Sequence, residues 1–308
     1  MAGMALTDRW RPLLAASLWL ATGLSSGVVA KESSVTSRLR IEDHFTGANL
    51  ALAQAAAADD AAQVRSLIRE RGADPNAVSP KGLALIAWPL LKDAPRGVEA
   101  LLSNGSDPNR ELASVGPAIV LAAKSEDPAM LRAFLDHGGN PNAMSSNLEP
   151  LTIVAQMASR WSNVQLLIER GADINTIAHG DPGDTVLAFY SAGQFDKVEW
   201  LLAKGADPAA RIDQSPKPER IGAQPIVENI YWWPVDAMRF PVLAQAQRRC
   251  QDYLAKQLKI YAPQEPAHLA KLRQSQQSGG SPGATSRTRA LDPRIAESEA
   301  RIRAQLRQ

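Results

Sequence analysis

The sequence predicts an all-α solenoid of repeated helical units, and three observations support this prediction. A six-residue motif with glycine in its second position recurs five times, at a spacing of 33 residues in three intervals and 34 in the fourth. A pair of large apolar residues lies upstream of each glycine, on a stripe with helical spacing. Self-similarity at this period is typical of architectures in which neighbouring repeats bury one another's apolar faces.

Composition excludes several classes of function before any motif is considered. The chain has 308 residues, of which 45% are apolar and 21% charged, so it can bury a sizeable core without disulfides. Its net charge of +2 gives no field that would favour nucleic acid or an anionic membrane. Because Cys250 is the only cysteine, an internal disulfide framework, a thiolate zinc site, a Cys-x-x-Cys redox centre and an iron–sulfur cluster are excluded.

Residues 1–30 have the features of a cleavable signal peptide. Arg9 and Arg11 precede an uncharged, mostly apolar run at residues 13–24, which is too short to span a bilayer. Val28 and Ala30 place small residues where signal peptidase requires them, so we predict cleavage after Ala30, with an uncleaved anchor helix as the alternative. The cleavage point lacks a cysteine for lipid attachment, and the arginines are not adjacent as a twin-arginine signal requires. We therefore expect export by the general secretory route and no integral membrane segment after cleavage.

The repeated motif has a physical explanation at each of its positions. Glycine stands where a helix ends in a left-handed conformation, which is costly for residues with a side chain. The Asp or Asn two residues later can bond its own backbone, and the proline that usually follows directs the chain into a loop. Asp127 and Pro128 are predicted to be the N-cap and the first residue of a helix. The five copies are residues 71–76 (RGADPN), 104–109 (NGSDPN), 137–142 (HGGNPN), 170–175 (RGADIN) and 204–209 (KGADPA).

Period and motif together resemble the ankyrin repeat, over residues 46–209. The resemblance implies a solenoid of stacked antiparallel helix pairs, each with an inner and an outer helix, joined by projecting loops. No repeat contains the Thr-Pro-Leu-His sequence with which the family opens its inner helix, so we expect the stack to depend more on apolar burial and to be only modestly stable. The implied repeats are approximately residues 46–78, 79–111, 112–144, 145–177 and 178–209.

The two ends of such a stack need caps. Residues 31–45 are polar and are predicted to be a loose lead-in, and residues 210–224 are predicted to be a proline-punctuated linker. Residues 225–270 are predicted to form the C-terminal cap, with one amphipathic helix over residues 241–261. Cys250 lies on the apolar stripe of that helix, which indicates a buried, inert thiol, with an intermolecular disulfide as the alternative.

Residues 271–308 differ in composition from the rest of the chain. They carry eight basic and three acidic side chains and are predicted to be a disordered basic tail. Asp292 and Pro293 could open a last helix with Ile295, Ile302 and Leu306 on one side, but this stripe is too thin to pack alone.

Sequence motifs for catalysis are absent. The chain contains no His-Glu-x-x-His, Gly-x-Ser-x-Gly, Gly-x-x-x-x-Gly-Lys or Gly-x-Gly-x-x-Gly sequence, and the acidic residues of the repeated motif are better explained as turn formers. We therefore predict a non-enzymatic protein without a metal or cofactor, and the competing hypothesis is an activity carried by residues 225–261. The histidines fall at four scattered places, His44, His137, His179 and His268.

Candidate binding residues follow from the resemblance, which implies that loop tips and inner helices form a concave groove for another protein. Matching inner-helix positions hold Trp88, Leu121, Val154 and Phe189, which either are partly buried in the core or form an apolar stripe that contacts the partner. A second candidate patch is Tyr231, Trp232 and Trp233, which either covers the open end of the last repeat or binds a partner. The candidate loop residues are Lys81, Arg110, His179 and Asp181.

These observations predict an exported, bacterial protein-binding module of the ankyrin type. A signal peptide without an anchor, in a large chain without disulfides, favours the periplasm of a Gram-negative bacterium. In that compartment the protein could neutralise a secreted effector as an immunity protein or inhibitor, or it could be a scaffold for an envelope or oxidative-stress enzyme. A third hypothesis is that the basic tail attaches the protein to the anionic envelope. The ankyrin fold by itself does not identify the partner.

Overall fold

The computed structural model describes residues 40–178, 185–211, 222–277 and 286–307. They belong to two compact units. The N-terminal unit comprises the described residues of Leu39–Phe189 and Lys204–Ala223, and the C-terminal unit those of Tyr190–Ala203 and Gln224–Gln308. The predicted signal peptide and most of the predicted linker lie outside the described residues. No helix in the described part of the chain is long and apolar enough to cross a membrane.

The N-terminal unit is a stack of antiparallel helix pairs. Each inner helix packs on the outer helix of its own pair, and successive outer helices within this unit pack on one another. The predicted all-α repeat fold is therefore confirmed. The pairs are α1 (Gly47–Ala57) with α2 (Ala61–Arg71), α3 (Ala87–Leu91) with α4 (Pro95–Leu102), α5 (Ile119–Lys124) with α6 (Pro128–Asp136), and α7 (Leu151–Met157) with α8 (Trp161–Glu169), and a fifth inner helix, α9 (Val186–Ser191), begins in this unit.

The repeated motif ends the outer helices as predicted. The glycines of all five copies have a left-handed backbone, with φ between 63° and 94°. Asp127 caps α6, because its side chain accepts a hydrogen bond from the N–H of Ala129 at 2.9 Å, and Pro128 is the first helical residue. The apolar pairs upstream of the glycines supply much of the core, and Leu101, Phe134 and Leu167 have no exposed surface.

The loop before each inner helix forms a short hairpin, which we call a finger. Finger 1 comprises residues 78–84 and is closed by a bridge between Val78 and Ala84. Finger 2 comprises residues 111–117 and contains the antiparallel strands β1 (Glu111–Leu112) and β2 (Gly116–Pro117). Finger 3 comprises residues 144–150 and is closed by a bridge between Met144 and Pro150.

The C-terminal unit contains α10, the predicted outer helix of the fifth repeat, and the helices that follow it. Helix α12 contacts α10, α11 and α14, and α14 also contacts α10. The predicted cap helix therefore packs on α10. The elements are α10 (Phe195–Ala203), α11 (Pro225–Trp232), α12 (Pro241–Tyr253), a π-helical turn (Leu254–Leu258), α13 (Ala267–Gln277) and α14 (Ser286–Gln305).

Two predictions about the flanking segments are corrected by the structure. The end of the predicted loose lead-in is ordered, because Ile41 and Phe45 are buried and the 3-10 turn Ile41–Asp43 packs on α1. The helix predicted over residues 241–261 is shorter, since its π-helical turn ends at Lys259 in a left-handed conformation. Leu258 and Tyr261 are consequently exposed rather than part of the buried stripe.

The prediction of a disordered tail at residues 271–308 is wrong for the residues that the structure describes. Helices α13 and α14 occupy most of this segment, and Ile295 and Ile302 of α14 are buried. The stripe of α14 is thin, but it packs on α10 and α12, which are distant in sequence. Composition alone does not reveal such a partner surface.

Candidate protein-binding surface

A ladder of asparagine side chains fixes the base of each finger to the next repeat. The side chain of Asn109 accepts a hydrogen bond from the N–H of Asn140 at 2.9 Å and donates one to the carbonyl of Gly138 at 3.1 Å. Ala209 replaces asparagine in the last copy, so the ladder ends there. Sequence reasoning explained the aspartates of the motif but missed this role of the asparagines. The same pair of bonds occurs at Asn76, Asn142 and Asn175.

Fingers 2 and 3 are joined to each other. The N–H of Ser146 donates to the carbonyl of Val115 at 2.9 Å, and the hydroxyl of Ser146 donates to the carbonyl of Ser114 at 3.0 Å. A Cβ at Gly116 would lie 3.0 Å from the carbonyl oxygen of Met144, so the two backbones are in close contact. These bonds hold the two fingers as one rigid projection, which favours a binding surface that is formed before a partner arrives.

The exposed large apolar side chains of the N-terminal unit are confined to a few kinds of segment. Two lie on fingers, one lies just beyond the motif of the fourth repeat, and two are the last residues of inner helices. Among the described residues of this unit, none lies on an outer helix. We call this set and the fingers the finger side. Sequence analysis missed these positions, although apolar residues in polar loops were a visible signal. They are Val78, Leu148, Ile177, Leu91 and Met157.

The predicted apolar stripe on the inner helices is corrected in part. Trp88 and Val154 are buried, so they belong to the core and present no side-chain surface to a partner. Leu121 and Phe189 are half-buried. The ammonium group of Lys92 lies 4.6 Å from the centre of the Trp88 ring and covers it. The exposed apolar residues of these helices lie about one helical turn later, at Leu91 and Met157. The preceding turn of each helix is buried against the rest of the protein.

The predicted loop residues have different environments. Lys81 is exposed in finger 1. Arg110 is half-buried at the base of finger 2, and its Nε is buried without a hydrogen-bond partner in the described part of the chain. His179 and Asp181 lie outside the described residues, so their predicted role remains a prediction.

The outer helices present a surface of a different kind. A groove of about 600 Å³ crosses α2, α4 and α6. Arg96 at this groove pairs with Asp59 at 2.7 Å, and Glu99 pairs with His137 at 2.9 Å. Asp136 pairs with Arg170 of the next outer helix. The carboxylates of this surface are thus engaged within the protein, and the surface lacks the exposed large apolar side chains of the finger side.

The second candidate patch is used for packing inside the C-terminal unit. Tyr231 donates its hydroxyl to the carbonyl of Ile260 at 2.8 Å, and the indole N–H of Trp232 donates to the carbonyl of Pro263 at 2.9 Å. The indole nitrogen of Trp233 would lie 2.9 Å from a Cβ at Gly193, in the turn before α10. Trp233 therefore covers the turn before α10, as one interpretation predicted, whereas Tyr231 and Trp232 bond to the segment that follows α12.

Cys250 has no exposed surface, and its thiol lies 3.6 Å from the carbonyl of Phe195. Burial, followed by the nearby carboxylate of Glu199, raises the pKa of this thiol. Both effects disfavour the reactive thiolate and the alternative of an intermolecular disulfide. No group of three or more His, Cys, Asp or Glu side chains within the described residues is arranged to hold a metal ion.

Comparisons with known proteins establish the ankyrin-repeat fold. Residues 119–212 match a family model described as ankyrin repeats in three copies. The chain is similar to a crystal structure of the ankyrin repeat domain of Bcl-3, described as a unique member of the IkappaB protein family. That match has 21% sequence identity and a TM-score of 0.50, and it covers 65% of this chain and 85% of that chain. No curated protein matches the sequence. The count of five repeats remains a prediction from the sequence.

Proposed function

We propose that this ankyrin-repeat protein is an exported, non-enzymatic module that binds another protein through its finger side. The observation that carries the proposal is the distribution of exposed apolar side chains. Val78, Leu148 and Ile177 project around the fingers, and Leu91 and Met157 end inner helices. No large apolar side chain is exposed on the described outer helices of this unit, so the finger side is the better candidate for an interaction site.

The rigidity of the fingers supports the same proposal. The asparagine ladder and the bonds between fingers 2 and 3 order the backbone before binding. A preformed surface loses less conformational entropy on association. The outer helices, whose carboxylates Glu99 and Asp136 bond to residues of the next repeat, are a poorer candidate.

The proposed location is the periplasm, on the evidence of the sequence at residues 1–30. The proposed role there is that of an immunity protein or inhibitor, in which the projecting fingers enter the cleft of a secreted effector. Export is tested by N-terminal sequencing of the protein from fractionated cells. The expected mature chain begins at Lys31 in the periplasmic fraction, and a chain that keeps residues 1–30 would contradict the proposal.

Site-specific crosslinking tests the binding surface. The full chain carrying Met157→Cys is labelled with benzophenone maleimide, and Arg132→Cys on the outer helix α6 is the matched control. Wild-type protein is the blank, because the buried Cys250 should not react. On irradiation in a periplasmic extract of the source organism, the label at position 157 should give an adduct that is absent from the control. Equal adducts at both positions, or none at either, would contradict the proposal.

The identity of the crosslinked protein distinguishes the inhibitor role from the scaffold role. A single stoichiometric hydrolase or toxin supports the inhibitor, whereas a series of envelope proteins would replace it with the scaffold. An activity assay of the effector with and without the protein then measures inhibition directly.

A further inference from the structure

Fingers 1 and 3 have the same turn, built around a serine. In finger 3, the N–H of Ser145 donates to the carbonyl of Glu149 at 2.9 Å, and the N–H of Leu148 donates back to Ser145 at 2.9 Å. The hydroxyl oxygen of Ser145 accepts bonds from the N–H groups of Asn147 and Glu149, both at 3.2 Å. Three-residue hairpins of this kind need a left-handed residue in the third loop position, and glycine is preferred there.

Finger 1 satisfies that requirement and finger 3 does not. The N–H of Ser79 donates to the carbonyl of Leu83 at 2.8 Å, and the third loop residue is Gly82, with φ of 80°. The equivalent residue of finger 3 is Leu148, with φ of 60°. A left-handed backbone is unfavourable for a residue with a side chain. The same chain therefore contains the favourable and the unfavourable version of one turn.

Side-chain burial does not compensate for this unfavourable leucine. Leu148 is 68% exposed, so its side chain gains little from burial, and the hydrogen bonds of the turn hold its backbone in place. Strained backbone that the surrounding structure holds in this way is concentrated at binding and catalytic sites. The tip is also held rigidly, because the adjacent Ser146 is bonded to finger 2. Leu148 thus projects from a fixed position.

We infer that Leu148 is a preformed anchor that inserts into an apolar pocket of the partner protein. This inference rests on the proposed function and names one residue of that interface. A single leucine on a projecting tip fits a concave pocket of a folded protein rather than an extended peptide. The two loop residues before it, Ser146 and Asn147, and residues 113–115 of finger 2 are uncharged, and Glu149, which follows it, is half-buried with its carboxylate bonded to the hydroxyl of Ser145. The part of the pocket rim that faces Ser146 and Asn147 should therefore be uncharged and able to form hydrogen bonds. Val115, at the equivalent position of finger 2, is half-buried and flanks the anchor.

The first test needs no partner. If Leu148 serves binding and not folding, Leu148→Gly should raise the thermal midpoint of the full chain by about 2 °C, since glycine relieves the left-handed strain. The reciprocal change Gly82→Leu places the same strain in finger 1 and should lower the midpoint by a similar amount. A lower midpoint for Leu148→Gly would make the leucine a structural residue and overturn the inference.

The second test uses benzophenone maleimide as the probe, attached to Leu148→Cys, with Arg132→Cys on the outer helix α6 as the control. The label at position 148 should form an adduct with the same protein as the label at Met157→Cys, and the control at position 132 should not. An adduct at position 157 without one at position 148 would overturn this inference and leave the proposed function intact. Absence of an adduct at both positions would refute the proposed function as well. An adduct of the chain with itself would overturn the assignment to a separate protein.

Measurement of the binding affinity makes this test quantitative. The ligand is the purified partner protein that was identified by crosslinking. Leu148→Gly and Leu148→Ala should each weaken binding by at least about tenfold, as expected for an interface anchor. Arg132→Ala, on the outer helix α6, should change the affinity by less than about threefold. Equal affinities for wild type and Leu148→Gly would overturn the inference.

Discussion

The carboxylate of Glu299 accepts a hydrogen bond from the backbone N–H of Leu243 at 2.7 Å, although the two residues are 56 positions apart in the chain. It also accepts one from Val242 at 3.4 Å. Helix α12 has no side-chain cap of its own at Phe240, so a carboxylate from α14 satisfies its first turn. A negative charge at this end of a helix is also favoured by the helix dipole. The docking of α14 is therefore specific, although its apolar stripe is thin.

Glu299→Ala should destabilise the C-terminal unit. The substitution leaves two backbone N–H groups of α12 without an acceptor, and we expect a loss of about 2 kcal/mol in the free energy of unfolding. Urea denaturation measures this loss, and hydrogen exchange should show faster exchange in the first turn of α12 and throughout α14. The control is Glu297→Ala, which removes an exposed carboxylate from the same helix. Equal effects of the two substitutions would contradict the capping role.

The same helix shows where sequence reasoning failed. The apolar residues of α14 were visible, but the charge and composition of residues 271–308 indicated disorder. What orders the helix is a set of contacts with distant residues, in which Asp196 of α10 accepts bonds from Ser298 and Arg301. Local composition contains no information about acceptors that lie about a hundred residues earlier.

Asn109→Ala should weaken the coupling between the second and third repeats. The substitution removes one bond to the N–H of Asn140 and one to the carbonyl of Gly138, and we expect a loss of about 1–2 kcal/mol. Chemical denaturation of the full chain measures it. Asn147→Ala, at an exposed finger tip, is the control and should change stability by less than about 0.5 kcal/mol. If both substitutions are neutral, the ladder contributes nothing to stability.

The repeat architecture was predictable because it is encoded in short, local patterns. The five glycines mark helix ends through their own backbone geometry, and Asp127 caps its own helix. The binding surface was less predictable, because exposure depends on how neighbouring repeats pack. Trp88 and Leu91 are three residues apart on one helix, yet Trp88 is buried and Leu91 is exposed.

Gly97→Ala should be strongly destabilising, although alanine is the better helix former. A Cβ at position 97 would lie 1.9 Å from the carbonyl oxygen of Ala56, so α4 could no longer approach α1 as closely. We expect a loss of about 3 kcal/mol, measured by thermal or chemical denaturation. Gly82→Ala is the matched control, because a Cβ there meets no neighbouring atom and only the left-handed strain of about 1 kcal/mol remains. A loss at position 97 no larger than that at position 82 would show that the two helices can separate without cost.

Asp59 makes the stability of the first two repeats dependent on pH. Its carboxylate accepts bonds from the Arg96 guanidinium and from the N–H of Gly97, both at 2.7 Å. Burial raises the pKa of this carboxyl, but the bonds from Arg96 and Gly97 lower it by more, so the pKa lies below its usual range. A carboxyl with a lower pKa in the folded state stabilises the fold above its unfolded-state pKa of about 3.9. That stabilisation is lost as the pH falls through the pKa that the carboxyl has in the folded state.

Asp59→Asn should therefore destabilise the protein at neutral pH and not in acid. At pH 7 we expect a loss of about 1 kcal/mol, because the pair with Arg96 disappears while the amide oxygen can still accept a bond from Gly97. The difference between wild type and variant should shrink as the pH falls below about 4, where the carboxyl of the unfolded wild-type chain begins to be protonated, and disappear as the pH falls through the lower pKa of the folded state. Thermal midpoints measured at intervals between pH 7 and pH 2.5 test this. Asp43→Asn, which removes an exposed carboxylate from the same unit, corrects for the change in net charge. A difference between wild type and Asp59→Asn that stays constant over this range would mean that ionisation of Asp59 contributes nothing to the contact between the repeats.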